Sequence, residues 1–211
     1  MLRIITALTL TLALLAPAAA RESKKAVETL NEGVTALQGG DAATALPLIT
    51  AAIESEGLEG ENLWIAYFSR GAAYSMLKQC PNAIPDFTKA IELKPIDAQS
   101  FAQRGNCYVE TKQPELAVAD LKQSVALDPA NADYAGFLCA VAFNFKIHAE
   151  AGPACEAVVV KFEPANTELV QASAQSYEAA GNKAKAQEMW QKLLALDPKS
   201  EAAKQGIART K

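Results

Sequence analysis

Small and bulky apolar residues recur along this chain with a long period. Gly71-Ala72-Ala73-Tyr74 is echoed 34 residues later by Gly105-Asn106-Cys107-Tyr108. The segments that follow also match, Ala90-Ile91-Glu92-Leu93-Lys94-Pro95 against Ser124-Val125-Ala126-Leu127-Asp128-Pro129. A 34-residue period predicts stacked helical hairpins, each unable to bury its apolar face alone, rather than one globular core. In such a stack function resides in the surface presented, so the search for chemistry becomes a search for a binding groove.

The pattern resembles the tetratricopeptide repeat, a unit of two antiparallel helices. Its signature is a bulky residue at position 4, a small one at 8, Tyr at 11, small at 20, aromatic at 24, small at 27 and Pro at 32. Small positions let the paired helices approach closely, and large ones fill the space between hairpins. From Trp64 those positions hold Tyr67, Gly71, Tyr74, Ala83, Phe87, Ala90 and Pro95. From Ala98 they hold Phe101, Gly105, Tyr108, Ala117, Leu121, Ser124 and Pro129, and from Thr167 Val170, Ala174, Tyr177, Ala186, Trp190, Leu193 and Pro198. Two further repeats are degenerate. One runs from about Ala26, with Thr29 where a bulky residue belongs, and is followed by an insertion within Ser55 to Asn62. The other runs from Ala132, with Cys139, Ala142, Ala151, Cys155 and Val158 in register and one extra residue before Pro164.

The resemblance implies an all-α solenoid of about five antiparallel helix-turn-helix hairpins, at about 24–57, 64–97, 98–131, 132–166 and 167–198. Residues 199–211 read as a capping helix, with Ala202, Ala203 and Ile207 on one face and Lys204 and Arg209 outward. Gly181-Asn182 is the expected turn of the last hairpin, because Gly adopts the left-handed C-cap conformation at little cost. Pro47, Pro85 and Pro153 share one repeat position and are expected to mark sharp starts of the second helices, where a missing amide loses no partner.

The N-terminus belongs to another category. Arg3, the apolar run Ile4 to Ala16 and Ala18-Ala19-Ala20 are the three regions of a secretory signal, cleaved after Ala20. The alternative is a membrane anchor, but the run would rise only about 20 Å as a helix against a hydrocarbon core of roughly 30 Å. Export to the periplasm is the expectation, with secretion as the alternative. Composition adds little for a sheet: half the residues are hydrophobic but only 7% aromatic. With 20 basic and 24 acidic residues the formal charge is −4, and loss of Arg3 makes it −5. Basic residues are scattered, so nucleic acid and anionic membranes are poor partners.

Catalytic constellations are absent from the sequence. His148 is the single histidine, at a predicted turn where a solvated side chain is expected. No HExxH, phosphate-cradling glycine loop or GxSxG motif occurs. The chain is therefore expected to be no enzyme and to need no cofactor or metal. Arg70 and Arg104 precede the small Gly of their repeats, with buried stems expected and paired anion binding as the alternative. Four cysteines in an exported chain are either small core residues or disulfides. The hairpin register implied by the resemblance pairs Cys80 with Cys107 and Cys139 with Cys155. Without a CxxC, thiol exchange activity is not expected.

The resemblance also implies which residues line a concave groove. They are Val27, Leu30, Val34, Leu37 and Gln38, then Ile65, Phe68, Ala72, Ser75 and Met76, then Gln99, Ala102, Asn106, Val109 and Glu110. Asp133, Gly136, Ala140, Phe143 and Asn144 follow, then Glu168, Gln171, Gln175, Glu178 and Ala179. The groove reads as apolar at its N-terminal end, centred on Phe68, and acidic to polar at the other. A Lys and Asn clamp for a chaperone's C-terminal carboxylate is missing, since Leu30, Phe68 and Ala102 stand at the Lys positions and only Asn106 fits. The expected function is a protein–protein interaction module of the bacterial envelope, binding a protein or peptide segment in this groove. The alternative is a subunit that self-assembles into a homo-oligomer through its apolar N-terminal repeat.

Overall fold

The computed structural model describes residues 23–211. The signal segment, its cleavage site and a mature start at Arg21 lie outside the described residues. Within them the chain is all-α, with no strand. Helix α1 covers residues 23–38. It is followed by α2 (Ala42–Glu54), α3 (Gly60–Met76), α4 (Cys80–Leu93), α5 (Ala98–Glu110) and α6 (Pro114–Leu127). The remainder is α7 (Ala132–Asn144), α8 (His148–Lys161), α9 (Thr167–Ala179), α10 (Lys183–Leu196) and α11 (Glu201–Thr210). Consecutive helices pair as hairpins, and α11 packs on α10. The helices form two compact units, one ending at Pro95 and the other beginning at Ile96.

One turn chemistry closes all five hairpins. The backbone enters the left-handed region at Gly40, Lys78, Lys112, Lys146 and Gly181, with φ between 55 and 85° as 83, 59, 59, 60 and 80°. The next amide then donates back to the first helix, as from Asp41 to Ala36, Gln113 to Tyr108 and Asn182 to Tyr177, at 2.9, 2.8 and 2.8 Å. This is the Schellman closure, which satisfies otherwise orphaned carbonyls. Gly40 and Gly181 adopt it freely, whereas a side chain there carries a penalty of about 1–2 kcal/mol. Side chains of Asp41, Asp97, Asn131, Asn166, Asn182 and Ser200 accept from the first turns of the helices they precede. Each such cap stabilises a helix by about 1 kcal/mol.

Helix pairs meet through a small residue facing a large one. A Cβ added at Gly33 would stand 2.6 Å from Ile49, one at Gly71 3.0 Å from Phe87, and one at Gly105 3.2 Å from Leu121. In the N-terminal unit the core is Ala26, Leu30, Ala45, Ile49, Ala52, Leu58 and Ala66. In the C-terminal unit one cluster gathers Leu121, Leu138, Cys139, Cys155 and Val158, and another Val170, Tyr177, Trp190, Leu193 and Ala203.

Three expectations require correction. Pro47, Pro85 and Pro153 do not open their helices: α2, α4 and α8 start five residues earlier, at Ala42, Cys80 and His148. The hairpin turn sets the start, and the prolines are tolerated inside because they are exposed, as are Ala43, Pro81 and Ala149, whose carbonyls they leave unbonded. Second, α3 begins at Gly60 rather than Trp64, so the insertion lengthens a helix and delivers the buried Leu58 to the core. Third, Arg209 is not simply outward. Its guanidinium binds Glu178 of α9 through two hydrogen bonds, at 2.6 and 3.1 Å.

Candidate partner-binding surface

The N-terminal strip is more deeply embedded than its sequence suggests. Leu30 is 1% exposed and belongs to the core with Leu58 and Ala66, so it is not a groove residue. The reason lies in α1: Thr29 is too small to fill the inward position, and Leu30 forms the buried stripe with Ala26 and Gly33. Val27, Val34, Leu37 and Ile65 are half-buried and pack against the same core. Phe68 is half-buried too, with its ring 5.9 Å from Trp64 and 5.8 Å from the fully buried Phe87. It is the middle of an aromatic column, and the Lys94 ammonium caps that column 3.9 Å above the Trp64 ring. Ala72 is half-buried, and Met76, at 50% exposure, is the large apolar side chain this strip offers to solvent.

In the C-terminal unit the corresponding face is open. A cavity of about 430 Å³ belongs elsewhere, between α1 and α2, but one of about 220 Å³ lies between α7 and α9. Phe143 lines it from α7, and Glu168, Gln171, Ala172 and Gln175 line it from α9. Further along α7, Ala140 is exposed, and a Cβ added at Gly136 would meet nothing within 4 Å. Gly136, Ala140 and Phe143 are spaced as one helical stripe, so the absent side chain of the first and the small methyl of the second leave room beside the third. On α5, Asn106 and Val109 are half-buried and Ala102 is buried, so that helix contributes a shallower surface.

Much of the predicted polar character is spent inside the fold. The Arg70 guanidinium donates twice to Asp86, at 2.8 and 2.8 Å, and Arg104 donates twice to Asp120, at 2.7 and 2.9 Å. Each arginine is held further above its ordinary value by the bond to its aspartate. Paired anion binding by these arginines is thereby excluded, because each fork is occupied by its own hairpin. The sequence signal was available, as Asp86 and Asp120 each lie 16 residues after their arginine. Glu178, assigned to the acidic end, accepts from Arg209 and from the Trp190 indole. The Arg209 bond holds its carboxyl below the usual range. It anchors the capping helix instead of facing a partner. Tyr177 and Lys185 converge on Glu156 in the same interior manner.

The remaining chemical candidates resolve structurally. His148 is not a solvated turn residue: it is the first residue of α8, half-buried, with Nδ1 buried and without a hydrogen-bond partner. Cys139 and Cys155 form a disulfide across α7 and α8, with Cα atoms 4.7 Å apart. Cys80 and Cys107 are disulfide-bonded as well, and no described cysteine is free. Among the described residues no group of three or more His, Cys, Asp or Glu side chains is placed to hold a metal ion.

Comparison with known proteins agrees with this architecture. Models of the tetratricopeptide repeat match residues 98–131 and 172–200. The chain is similar to mouse DnaJ homolog subfamily C member 7, 31% identical over 108 residues, which is 50% of this chain and 21% of that protein. It also resembles human mitochondrial import receptor subunit TOM70, 32% identical over 79 residues, 36% of this chain and 13% of the relative. The chain thus spans about a fifth or less of the length of these relatives. Among solved structures, YrrB, described as a tetratricopeptide repeat protein with an unusual peptide-binding site, superposes with a TM-score of 0.66 at 21% identity. That match covers 90% of this chain and 95% of YrrB. MamA superposes with a TM-score of 0.63 at 20% identity, covering 82% and 92%. With repeat models matched in both segments and helical hairpins present there in the structure, the chain carries tetratricopeptide repeats.

Proposed function

We propose that this protein is an exported protein–protein interaction module that holds a partner's peptide segment on the groove face of α7 and α9. The observation that carries the reading is the open cavity between those helices, lined by Phe143, Gln171 and Gln175, with Gly136 about two turns from Phe143 on the same stripe of α7. An apolar floor with a few placed polar groups suits a peptide, whose backbone needs hydrogen bonds and whose side chains need pockets. The likeness to an import receptor subunit and to a protein described with a peptide-binding site supports the same class of activity. Export to the periplasm, with secretion as the alternative, is supported by the signal-like N-terminus and by cysteines that are all oxidised. No described helix is long and apolar enough to cross a membrane.

Site-specific photo-crosslinking in the producing cell tests this. A crosslinker at Ala140 or Gln175 should trap a partner, whereas one at the outer-face positions Pro85 or Pro153 should not. Crosslinks confined to the outer face would refute the groove reading. Self-assembly remains a second reading, favoured by the 430 Å³ cavity whose walls include Ala26, Thr29, Ala51 and Ala52. A mass that rises with concentration in light scattering, and that a Thr29→Arg change returns to monomer, would establish it.

A further inference from the structure

Resting on that reading, we infer that the segment held between α7 and α9 is an extended peptide that places an apolar side chain beside Phe143 and a Lys or Arg, two residues away, against Glu168. Charge complementarity argues for the cation. Neither α7 nor α9 contains a Lys or Arg, while they carry Asp133, Glu168 and Glu178. Glu178 is neutralised by Arg209, and Glu168 is the charged residue lining the cavity. Lys146 lies in the turn beyond α7, outside the lining. Glu168 is exposed in the first turn of α9, where it also complements the helix dipole, so the cavity and its walls, not this carboxylate alone, define the site.

The extended conformation follows from the amides. Gln171 and Gln175 are one turn apart on α9, a rise of about 6 Å, close to the roughly 6.6 Å that separates alternate residues of an extended chain. Each carboxamide offers a donor pair and an acceptor, the complement of a peptide unit. A ligand helix bonds its backbone internally and leaves those amides without partners. The apolar anchor follows from Phe143 and Ala172, both half-buried walls of the cavity. Side chains two apart in an extended peptide point the same way, so anchor and cation enter together.

A phage-displayed library of random twelve-residue peptides, panned in parallel on the mature protein and on Gly136→Trp, provides the test. Gly136 is the position to block, because a Cβ added there would meet no protein atom within 4 Å, it lies about two turns from Phe143 on the same helical stripe, and replacing Gly favours the helix. Circular dichroism and thermal melting of both proteins confirm the fold. The expected clones carry Lys or Arg two residues from Leu, Ile, Met or Phe and are lost on Gly136→Trp. A synthetic peptide of that sequence should bind about fivefold tighter than its Lys→Glu counterpart, as befits one exposed ion pair, and Glu168→Lys should reverse the order. Acidic or uncharged clones that are still lost on Gly136→Trp would overturn this inference and leave the groove standing. The same holds if Glu168→Lys leaves the order unchanged. An empty selection, or clones that bind Gly136→Trp equally, would overturn both.

Discussion

In the N-terminal unit the groove positions of α1 and α3 hold Leu30, Val34, Phe68 and Ala72. In the C-terminal unit the same positions of α7 and α9 hold Gly136, Ala140, Gln171 and Gln175. The first set is apolar throughout and bulky except at Ala72, and the fold draws it inward: Leu30 is 1% exposed, and Phe68 leans on the buried Phe87. The second set is small or amide-bearing and leaves an open cavity. Apolar composition at a groove position therefore does not by itself mark a binding hot spot. A hot spot needs unburied apolar area, and a side chain that already stabilises its own hairpin has little left to give a partner.

This contrast breaks most sharply at Leu30. Leu30→Ala should lower unfolding stability by about 2–5 kcal/mol, through lost transfer energy and a cavity, without changing affinity per folded molecule. Urea unfolding with binding measured on the folded fraction decides it. A mutant as stable as wild type would return Leu30 to the groove. Removing the brace behind the open face is the next largest effect. The double change Cys139→Ser and Cys155→Ser opens a loop with a sequence separation of 16 and should lose about 3 kcal/mol. Dithiothreitol, which also reduces Cys80 and Cys107, should lower the melting temperature at least as much as the double change, and equal melting of the double variant and the wild type would show the brace to be idle. Phe68→Ala should lose about 2 kcal/mol of stability, less than a core Phe because the ring is only half-buried.

Smaller effects sharpen the picture of the hairpins. Lys112→Gly should stabilise by up to about 1 kcal/mol, since the left-handed conformation there is strained for a side chain. A loss instead would mean that the Lys112 side chain outweighs its backbone strain. Strong acid should loosen the cap. Because the bond from Arg209 depresses the Glu178 carboxyl, its stabilisation is complete above the ordinary glutamate range and is lost as pH falls through the lower, folded value. Trp190 donates to the same carboxylate, so its fluorescence should shift only below the ordinary glutamate range. Glu178→Gln should abolish that step.

The hairpins were legible because small and large residues at fixed spacing leave helices few ways to pair. Gly71 beneath Phe87 and Gly105 beneath Leu121 need only the register to be read. The prolines were misread because their position counts from the turn, and the turn closes five residues before them. The site was legible only in part. Phe143, Gln171 and Gln175 fall on groove positions, but nothing in their order says that Leu30 sinks while Gly136 leaves a gap. That depends on Thr29 being too small and on Leu58 arriving from an insertion, neither of which the 34-residue period encodes. Asp86 and Asp120 were readable as partners of Arg70 and Arg104 by spacing, yet their burial emerges only when the two helices are laid together.

The most direct test of the contrast is the affinity of a partner trapped from Ala140 or Gln175 for wild type, Gly136→Trp and Phe68→Ala, each measured on folded protein. Filling the open face should weaken binding at least about tenfold, and truncating Phe68 should change it by less than about twofold. The reverse order, with Phe68→Ala disabling capture and Gly136→Trp binding as wild type, would place the binding surface in the N-terminal unit and contradict the account.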